Sequence, residues 1–311
     1  MSAIHNCVEN YEFVSHGATW HKVVNHIRTT AMTNTPNISF EFFPPKNMAA
    51  TFGLFETVNA LHDLNPGFVS VTYGAGGTTR TLTHEAVELL HKKFNLNVAA
   101  HLTCVDATKA ETLAIADAYH AAGVSEIVAL RGDPPKGAGG FTPHPDGFAN
   151  SIELIEALAQ TGKFKLRVGA YPDPHPEAAD ENADVKFLKR KFDAGADSAI
   201  TQFFFDPDTF FRFRDRAVAQ GITGKILPGI LPIGSWNGVK KFAQSCGTPV
   251  PAHLDDLYAK AGANAEQLSI DLATDMCEKL VAGGVEDLHF YTLNKPNLSK
   301  AVCANLGVTS A

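Results

Sequence analysis

Short apolar runs alternate along this chain with longer stretches in which Ala, Leu, Glu and Lys recur at helical spacing. The runs predict strands over Ile38–Phe43, Phe68–Tyr73, Val98–Thr103, Glu126–Leu130, Leu166–Tyr171, Ala199–Phe205, Lys225–Leu231 and Asp287–Leu293. Helices are predicted between them, including Thr83–Phe94, Ala107–Ala122, Ser151–Gln160, Ala183–Ala194 and Thr209–Gln220. Gly123, Gly195 and Gly221 fall just past three of these, where a left-handed residue ends a helix. The interval from Asn237 to Gly284 is longer and predicts two or three helices. Eight strands, each followed by helix, predict a single-domain (β/α)8 barrel of the TIM type with extra helices. The alternative, a doubly wound open sheet, needs a reversal of strand order that the pattern does not display. The expected organisation is a leader with a short helix near Thr19–Thr30 (residues 1–36), then the barrel, residues 37–311.

Polar residues interrupt the apolar runs at one recurring place. Chemistry on such a barrel belongs to the C-terminal strand ends and the loops after them. There the chain places Glu41, Thr72 and Tyr73, His101 and Thr103, Arg131-Gly132-Asp133, Tyr171 and His175, Gln202 and Tyr291. In the first strand, Ile38-Ser-Phe-Glu-Phe-Phe-Pro-Pro-Lys46, a single carboxylate stands among three phenylalanines. A carboxyl with aromatic neighbours is expected to have its pKa raised, as suits a general acid. From this stretch alone, a surface Glu on an edge strand remains open.

Composition acts mainly by exclusion. A net charge of -7 without a long basic run argues against nucleic acid as partner. No apolar run is long enough to span a bilayer, and Met1 to Asn10 lacks signal-peptide character. The five cysteines are scattered, odd in number and without a C-x-x-C pair, which fits reduced thiols in a cytoplasmic protein. The loop Gly74-Ala-Gly-Gly-Thr-Thr79 fails the dinucleotide fingerprint, because threonine holds the last position. The loop from Gly132 to Gly139 lacks the Gly-Lys-Ser/Thr of a nucleotide triphosphate site. No His-x-His pair supports a metal among Glu41, His101, Asp133 and His175, and none is expected. Asp184, Lys189, Arg190 and Lys191 follow the proline-stiffened loop Tyr171–Glu177; they read as a solvated face or, beside the barrel mouth, as a pyrophosphate site.

In order along the chain, the blocks Ser39–Pro45, Phe68–Gly74, His101–Cys104, Val128–Asp133, Ala170–Pro172 and His175–Ala178 are distinctive. So are Lys189–Lys191, Asp193–Gly195, Ile200–Asp206, Pro228–Pro232 and His289–Asn294. Together they resemble the methylenetetrahydrofolate reductase family in its short bacterial form without a regulatory domain. The resemblance implies non-covalent FAD at the barrel mouth, near Thr72, Tyr73, Ala75, His101, Arg131, Gly132, Asp133, Ala149, Tyr171, His175, Ala178, Asp184, Arg190 and Lys191. It implies that a folate and NADH or NADPH take turns near Gln202, Phe242, Tyr291, Leu293 and Lys295, with Thr72 beside the shared flavin face. Glu41 matches the family's general acid, and Asp133 is placed to stabilise a cationic iminium. The chain departs from the pattern at Phe148, Phe187, Gly238 and Lys295. A proline-oxidising flavin barrel would share the architecture without accounting for Glu41, and a folate carrier without redox activity is the alternative from another class. Electron-donor preference, direction and homo-oligomer assembly are left open.

Overall fold

A computed structural model describes residues 35–73, 80–133 and 141–310. The expected helix at Thr19–Thr30, Ala75 and the glycine loop 74–79 lie outside the described residues. Eight parallel strands close into a barrel in sequence order, each hydrogen-bonded to the next and β8 to β1. They are β1 (Asn37–Phe42), β2 (Phe68–Val71), β3 (Val98–Thr103), β4 (Glu126–Leu130), β5 (Lys165–Ala170), β6 (Ser198–Phe203), β7 (Lys225–Ile230) and β8 (Asp287–Tyr291). The helices among the described residues are α1 (Met48–His62), α2 (Arg80–Phe94), α3 (Lys109–Ala121), α4 (Ser151–Thr161) and α5 (Glu181–Asp193). They continue with α6 (Pro207–Ala219), α7 (Trp236–Cys246), α8 (His253–Ala261), α9 (Ala265–Ala282) and α10 (Pro296–Asn305).

Local chemistry starts and stops these helices where the chain needs them. Thr108 and Glu111 form a reciprocal capping box at α3, and Asn47, Asn150, Asp180 and Asp206 each accept a backbone N–H at a helix start. Gly123, Gly195 and Gly221 take φ of +94°, +115° and +77° behind α3, α5 and α6, as expected. The long interval before β8 holds α7, α8 and α9. Helix α1 follows β1, as the alternation of strand and helix requires, on a weak apolar stripe. Its buried stripe is Leu54, Thr57, Val58 and Leu61, with a threonine in one apolar slot, while Met48 and Phe52 stand exposed on the other side.

Strand alternation separates two cores. Leu102, Ile127, Ala129, Leu166, Val168 and Ala199 face outward and pack with Leu154, Ile155, Leu158, Val185, Leu188 and Phe213 of the helices. The intervening positions face the barrel axis, where Phe68, Ala99, Val128, Ile200 and Leu227 form a small apolar layer. In β1 this alternation sends Phe40 and Phe42 outward and Ser39 and Glu41 inward. No helix among the described residues is long and apolar enough to cross a membrane.

Candidate active site

Glu41 sits at the C-terminal end of β1, opposite Ser70 of β2 and Tyr291 of β8 in the ladder. Its Oε2 accepts from Ser70 Oγ at 3.3 Å and lies 3.3 Å from His101 Nε2 and 3.8 Å from His289 Nε2. The Glu41 side chain is 14% exposed, so these polar neighbours are its main surroundings. This corrects the expectation drawn from the aromatic sequence neighbours. Phe40 and Phe42 lie on the other face of the strand, and the carboxyl meets imidazoles. Burial raises its pKa, but the two rings outweigh burial and hold the carboxyl down at about 2 when they are charged. His289 is itself fully buried, and burial pushes its pKa below the usual histidine value. Its Nδ1 pairs with Ser39 Oγ at 2.8 Å, and its ring stacks on Phe68 at 5.5 Å. Behind Phe68, the Arg167 guanidinium lies 3.6 Å from the ring centroid.

A second wall is built by β6, β7 and β8. The β6–β7 register shifts between Ile200 and Phe203, a bulge that places one extra residue in β6 beside Gln202. The groups released from the ladder find side chains. Gly229 N–H donates to Thr201 Oγ1 at 2.9 Å, and the Tyr291 hydroxyl donates to the Thr201 carbonyl at 2.7 Å. Tyr291, expected beside the substrate, therefore spends its hydroxyl on holding this bulge. Gln202 is half-buried and its Oε1 accepts from Phe203 N–H at 3.1 Å. Phe242 of α7 stacks on Phe203 at 5.4 Å, and Leu293 packs in the same cluster. A Cβ on Gly229 would stand 2.2 Å from the Thr201 carbonyl oxygen and 2.5 Å from the Tyr291 ring. Gly229→Ala is therefore expected to cost about 1–3 kcal/mol, read as a lower denaturant midpoint, and to displace the bulge. An unchanged midpoint would mean that β6 and Tyr291 yield freely.

Of the residues expected at a flavin, Arg131, Asp133, Tyr171, His175, Asp184 and Lys191 come together around the ends of β4 and β5. Arg131 makes a two-pronged pair with Glu177, at 2.5 and 3.2 Å, and lies 4.8 Å from the Phe141 ring. Tyr171 meets His175 edge-on at 4.7 Å, and His175 N–H donates to Asp184 Oδ2 at 2.6 Å. Burial pushes the Tyr171 phenol up to about 12. Lys191 is buried, donates from Nζ to the Gly169 carbonyl at 2.7 Å, and burial lowers its pKa to about 8. Arg190 is exposed, and Phe187 lies beside both cations, 5.6 Å from the guanidinium and 5.1 Å from the ammonium. Ala149 N–H is held by Glu153 and Ala178 N–H by His175 O, while Thr72 N–H reaches back to the Phe42 carbonyl. Tyr73 is half-buried, Gly132 has φ of +87°, and Asp133 is exposed at the end of β4. Phe148 is core, against α4; Gly238 is exposed on the first turn of α7; Lys295 is exposed at the start of α10.

Two features fit this donor set to an anionic cofactor. Arg131, Arg190 and the buried Lys191 lie on one side of the mouth, and the buried Thr103 Oγ1 at the end of β3 has no hydrogen-bond partner. Ser39, Ser70 and His289 were missed as site residues. The signal was present in the period-two polar positions Ser39, Glu41 and His289, Tyr291 on strands that the barrel makes neighbours. Among the described residues no group of three or more His, Cys, Asp or Glu is arranged to hold a metal ion.

With this geometry in place, comparison with known proteins is informative. The family model for methylenetetrahydrofolate reductase matches residues 26–307. A 5,10-methylenetetrahydrofolate reductase of Escherichia coli (strain K12) is 43% identical over 275 residues, covering 88% of this chain and 91% of the relative. One from Buchnera aphidicola (subsp. Acyrthosiphon pisum) is 37% identical, covering 93% and 98%. The Arabidopsis thaliana methylenetetrahydrofolate reductase (NADH) 1 is 34% identical across 92% of this chain but only 51% of its own length. Among solved structures, a Clostridium thermocellum protein described as binding two copies of 5-methyl-5,6,7,8-tetrahydrofolic acid aligns with a TM-score of 0.57 at 13% identity. It covers 88% of this chain and 94% of its own, and speaks to the fold alone.

Proposed function

The chain belongs to the methylenetetrahydrofolate reductase family, and from that premise we propose that it interconverts 5,10-methylene- and 5-methyltetrahydrofolate. FAD is held non-covalently at the barrel mouth, and NADH or NADPH is the electron donor. The observation that carries this reading is Glu41, a mostly buried carboxyl at the mouth, flanked by two imidazoles and next to the Gln202–Tyr291 wall. When bound, FAD supplies the chemistry of taking hydride from one substrate and giving it to the other. The chain supplies the proton. Methylenetetrahydrofolate bridges N5 and N10 through one carbon, and opening that ring requires an acid at N10. Glu41 protonates N10 and leaves an N5 iminium. Asp133 offsets the positive charge of that iminium. Gln202 both donates and accepts, which suits a pterin edge and a carboxamide alike. Phe242 keeps one face against Phe203 and offers the other for stacking.

One stacking surface for two ring systems requires that the substrates alternate. Anaerobic titration of the bound flavin with NADH, NADPH and each folate tests the reading: bleaching by a nicotinamide and recovery by methylenetetrahydrofolate are expected. A yellow protein that no folate reoxidises would exclude it, and a colourless folate-binding protein would favour a carrier. Initial-rate plots should be parallel; intersecting plots with a ternary complex would count against a shared site.

Arg190 and Lys191 are assigned to the FAD diphosphate. Arg190→Ala combined with Lys191→Met removes both charges while keeping the buried lysine's bulk. Each charge-assisted hydrogen bond is worth about 1.5–3 kcal/mol, so FAD retention should fall by at least about tenfold per contact. Full flavination of the double variant would refute the placement. Burial lowers the Lys191 pKa to about 8, and a diphosphate beside it favours the charged form. FAD binding should therefore take up a proton above that pH and weaken as pH rises further, measured by calorimetry in buffers of differing ionisation enthalpy.

A further inference from the structure

We infer that His289 is a positioning residue for the acid: held by Ser39 as the tautomer protonated on Nδ1, it presents a bare Nε2 to Glu41 and so favours a protonated carboxyl. This rests on the reading of Glu41 as the general acid. Hydrogen-bond arithmetic carries it. Ser39 Oγ lies 3.2 Å from the Leu288 carbonyl and 2.8 Å from His289 Nδ1. Only one arrangement satisfies both contacts: the hydroxyl hydrogen goes to the Leu288 carbonyl, which can only accept, and Ser39 Oγ receives Nδ1–H. His289 Nε2 is then a lone pair, buried without a hydrogen-bond partner and 3.8 Å from Glu41 Oε2. A carboxylate facing a lone pair in a dry interior is disfavoured, whereas a carboxylic acid is compatible with it.

Burial of the ring and the cation behind it act in the same direction, against an ionised Glu41, which by itself favours an imidazolium. His289 is completely buried, and the Arg167 cation of β5 faces it through the intervening Phe68 ring. Both oppose an imidazolium. Glu126 of β4 neutralises part of the Arg167 charge, with the guanidinium Nε at 2.7 Å. Tyr291 of β8 meets His289 edge-on at 5.4 Å, and burial keeps its phenol un-ionised. His101 of β3, on the other side of Glu41, is the remaining titratable neighbour. The low Glu41 pKa expected with both imidazoles charged thus rests on His101 alone once His289 is held neutral.

The proton balance is simple. The Glu41 O–H bond breaks as N10–H forms, and the electrons of the carbon–N10 bond pass to N10 as the ring opens to the iminium. The carboxylate left behind can be met by His101 Nε2, 3.3 Å away, and is recharged from solvent. His289 is not on the proton's path, because beyond it Ser39 ends on the Leu288 carbonyl.

The test is nitrogen-15 histidine spectroscopy of the FAD-loaded enzyme, with the His289 signal assigned by its loss in His289→Gln, together with the pH profile of the isolated folate half-reaction. Wild type should show His289 neutral with its proton on Nδ1. Ser39→Ala should abolish that preference and move the high-pH fall in rate down by about one unit, about a tenfold loss at neutral pH; Ser39→Thr, which keeps the hydroxyl, should restore both. A proton on Nε2, an imidazolium at neutral pH, or an unshifted profile in Ser39→Ala would overturn the proposal. The spectrum needs no turnover. A wild-type rate in Glu41→Gln would therefore remove Glu41 as the acid, while the spectrum still decides the tautomer.

Discussion

Glu41→Gln is expected to leave flavin reduction by NAD(P)H close to the wild-type rate while slowing reoxidation by methylenetetrahydrofolate about 10²–10⁴-fold. Hydride transfer from a nicotinamide needs stacking and orientation but no acid. Ring opening needs a proton at N10, and an amide cannot supply it. Gln keeps the volume of Glu and can still accept from Ser70 Oγ, which lies 3.3 Å from the carboxyl, so fold and FAD content should persist. Stopped-flow measurement of each half-reaction separates the outcomes. If the variant reoxidises at the wild-type rate, Glu41 is not the acid and Asp133 is the next candidate. If both half-reactions fall together with FAD loss, Glu41 holds the barrel together instead.

The barrel was legible because its strands carry dense apolar runs and its helices end at glycines. The strands β3 and β4 begin and end where the pattern places them. At β8 the pattern ran two residues too far, because Leu293 is apolar although it turns with φ of +50° and Asn294 with +54°. That turn brings the Asn294 amide onto the backbone of Phe43, with both partners at about 3 Å, and ties the ends of β1 and β8 together beside Glu41. Periodicity cannot reveal a left-handed turn inside an apolar run.

The site was legible as a set of strand ends but not as an environment. Residues adjacent in sequence alternate faces, so the phenylalanines flanking Glu41 say nothing about what its carboxyl meets. What it meets comes from β2, β3 and β8, and only closure of the barrel makes β8 a neighbour of β1. The same holds for the bulge in β6. Nothing in Ile200-Thr-Gln-Phe203 announces an extra residue, because the irregularity exists only relative to β7.

Glu126→Leu is expected to destabilise the protein by about 3–5 kcal/mol, the largest stability loss among the substitutions considered. Glu126 is 6% exposed and Arg167 5%, both inside the barrel. Their pair is close, with guanidinium nitrogens at 2.7 and 2.6 Å from one carboxylate oxygen and Asn97 Nδ2 at 2.9 Å from the other. Removing the carboxylate strands a buried cation against Phe68, with Ser198 Oγ, 3.0 Å from the guanidinium, as its remaining hydrogen-bond partner in this network. Attraction between the two charges does little more than offset their desolvation, so the pair is no great source of stability in itself. Replacing both, as Glu126→Leu with Arg167→Met, should recover most of the loss. Denaturant midpoints in a fixed excess of FAD measure this, since cofactor binding shifts apparent stability. A single variant within about 1 kcal/mol of wild type would mean that water reaches the pair. A recovered double variant has a further use, because it removes the cation that faces His289 through Phe68. Its high-pH fall in the folate half-reaction should then move below that of wild type, as an imidazolium at His289 becomes easier to form and holds Glu41 ionised. A stable double variant with an unmoved profile would show that Arg167 serves the barrel and not the acid.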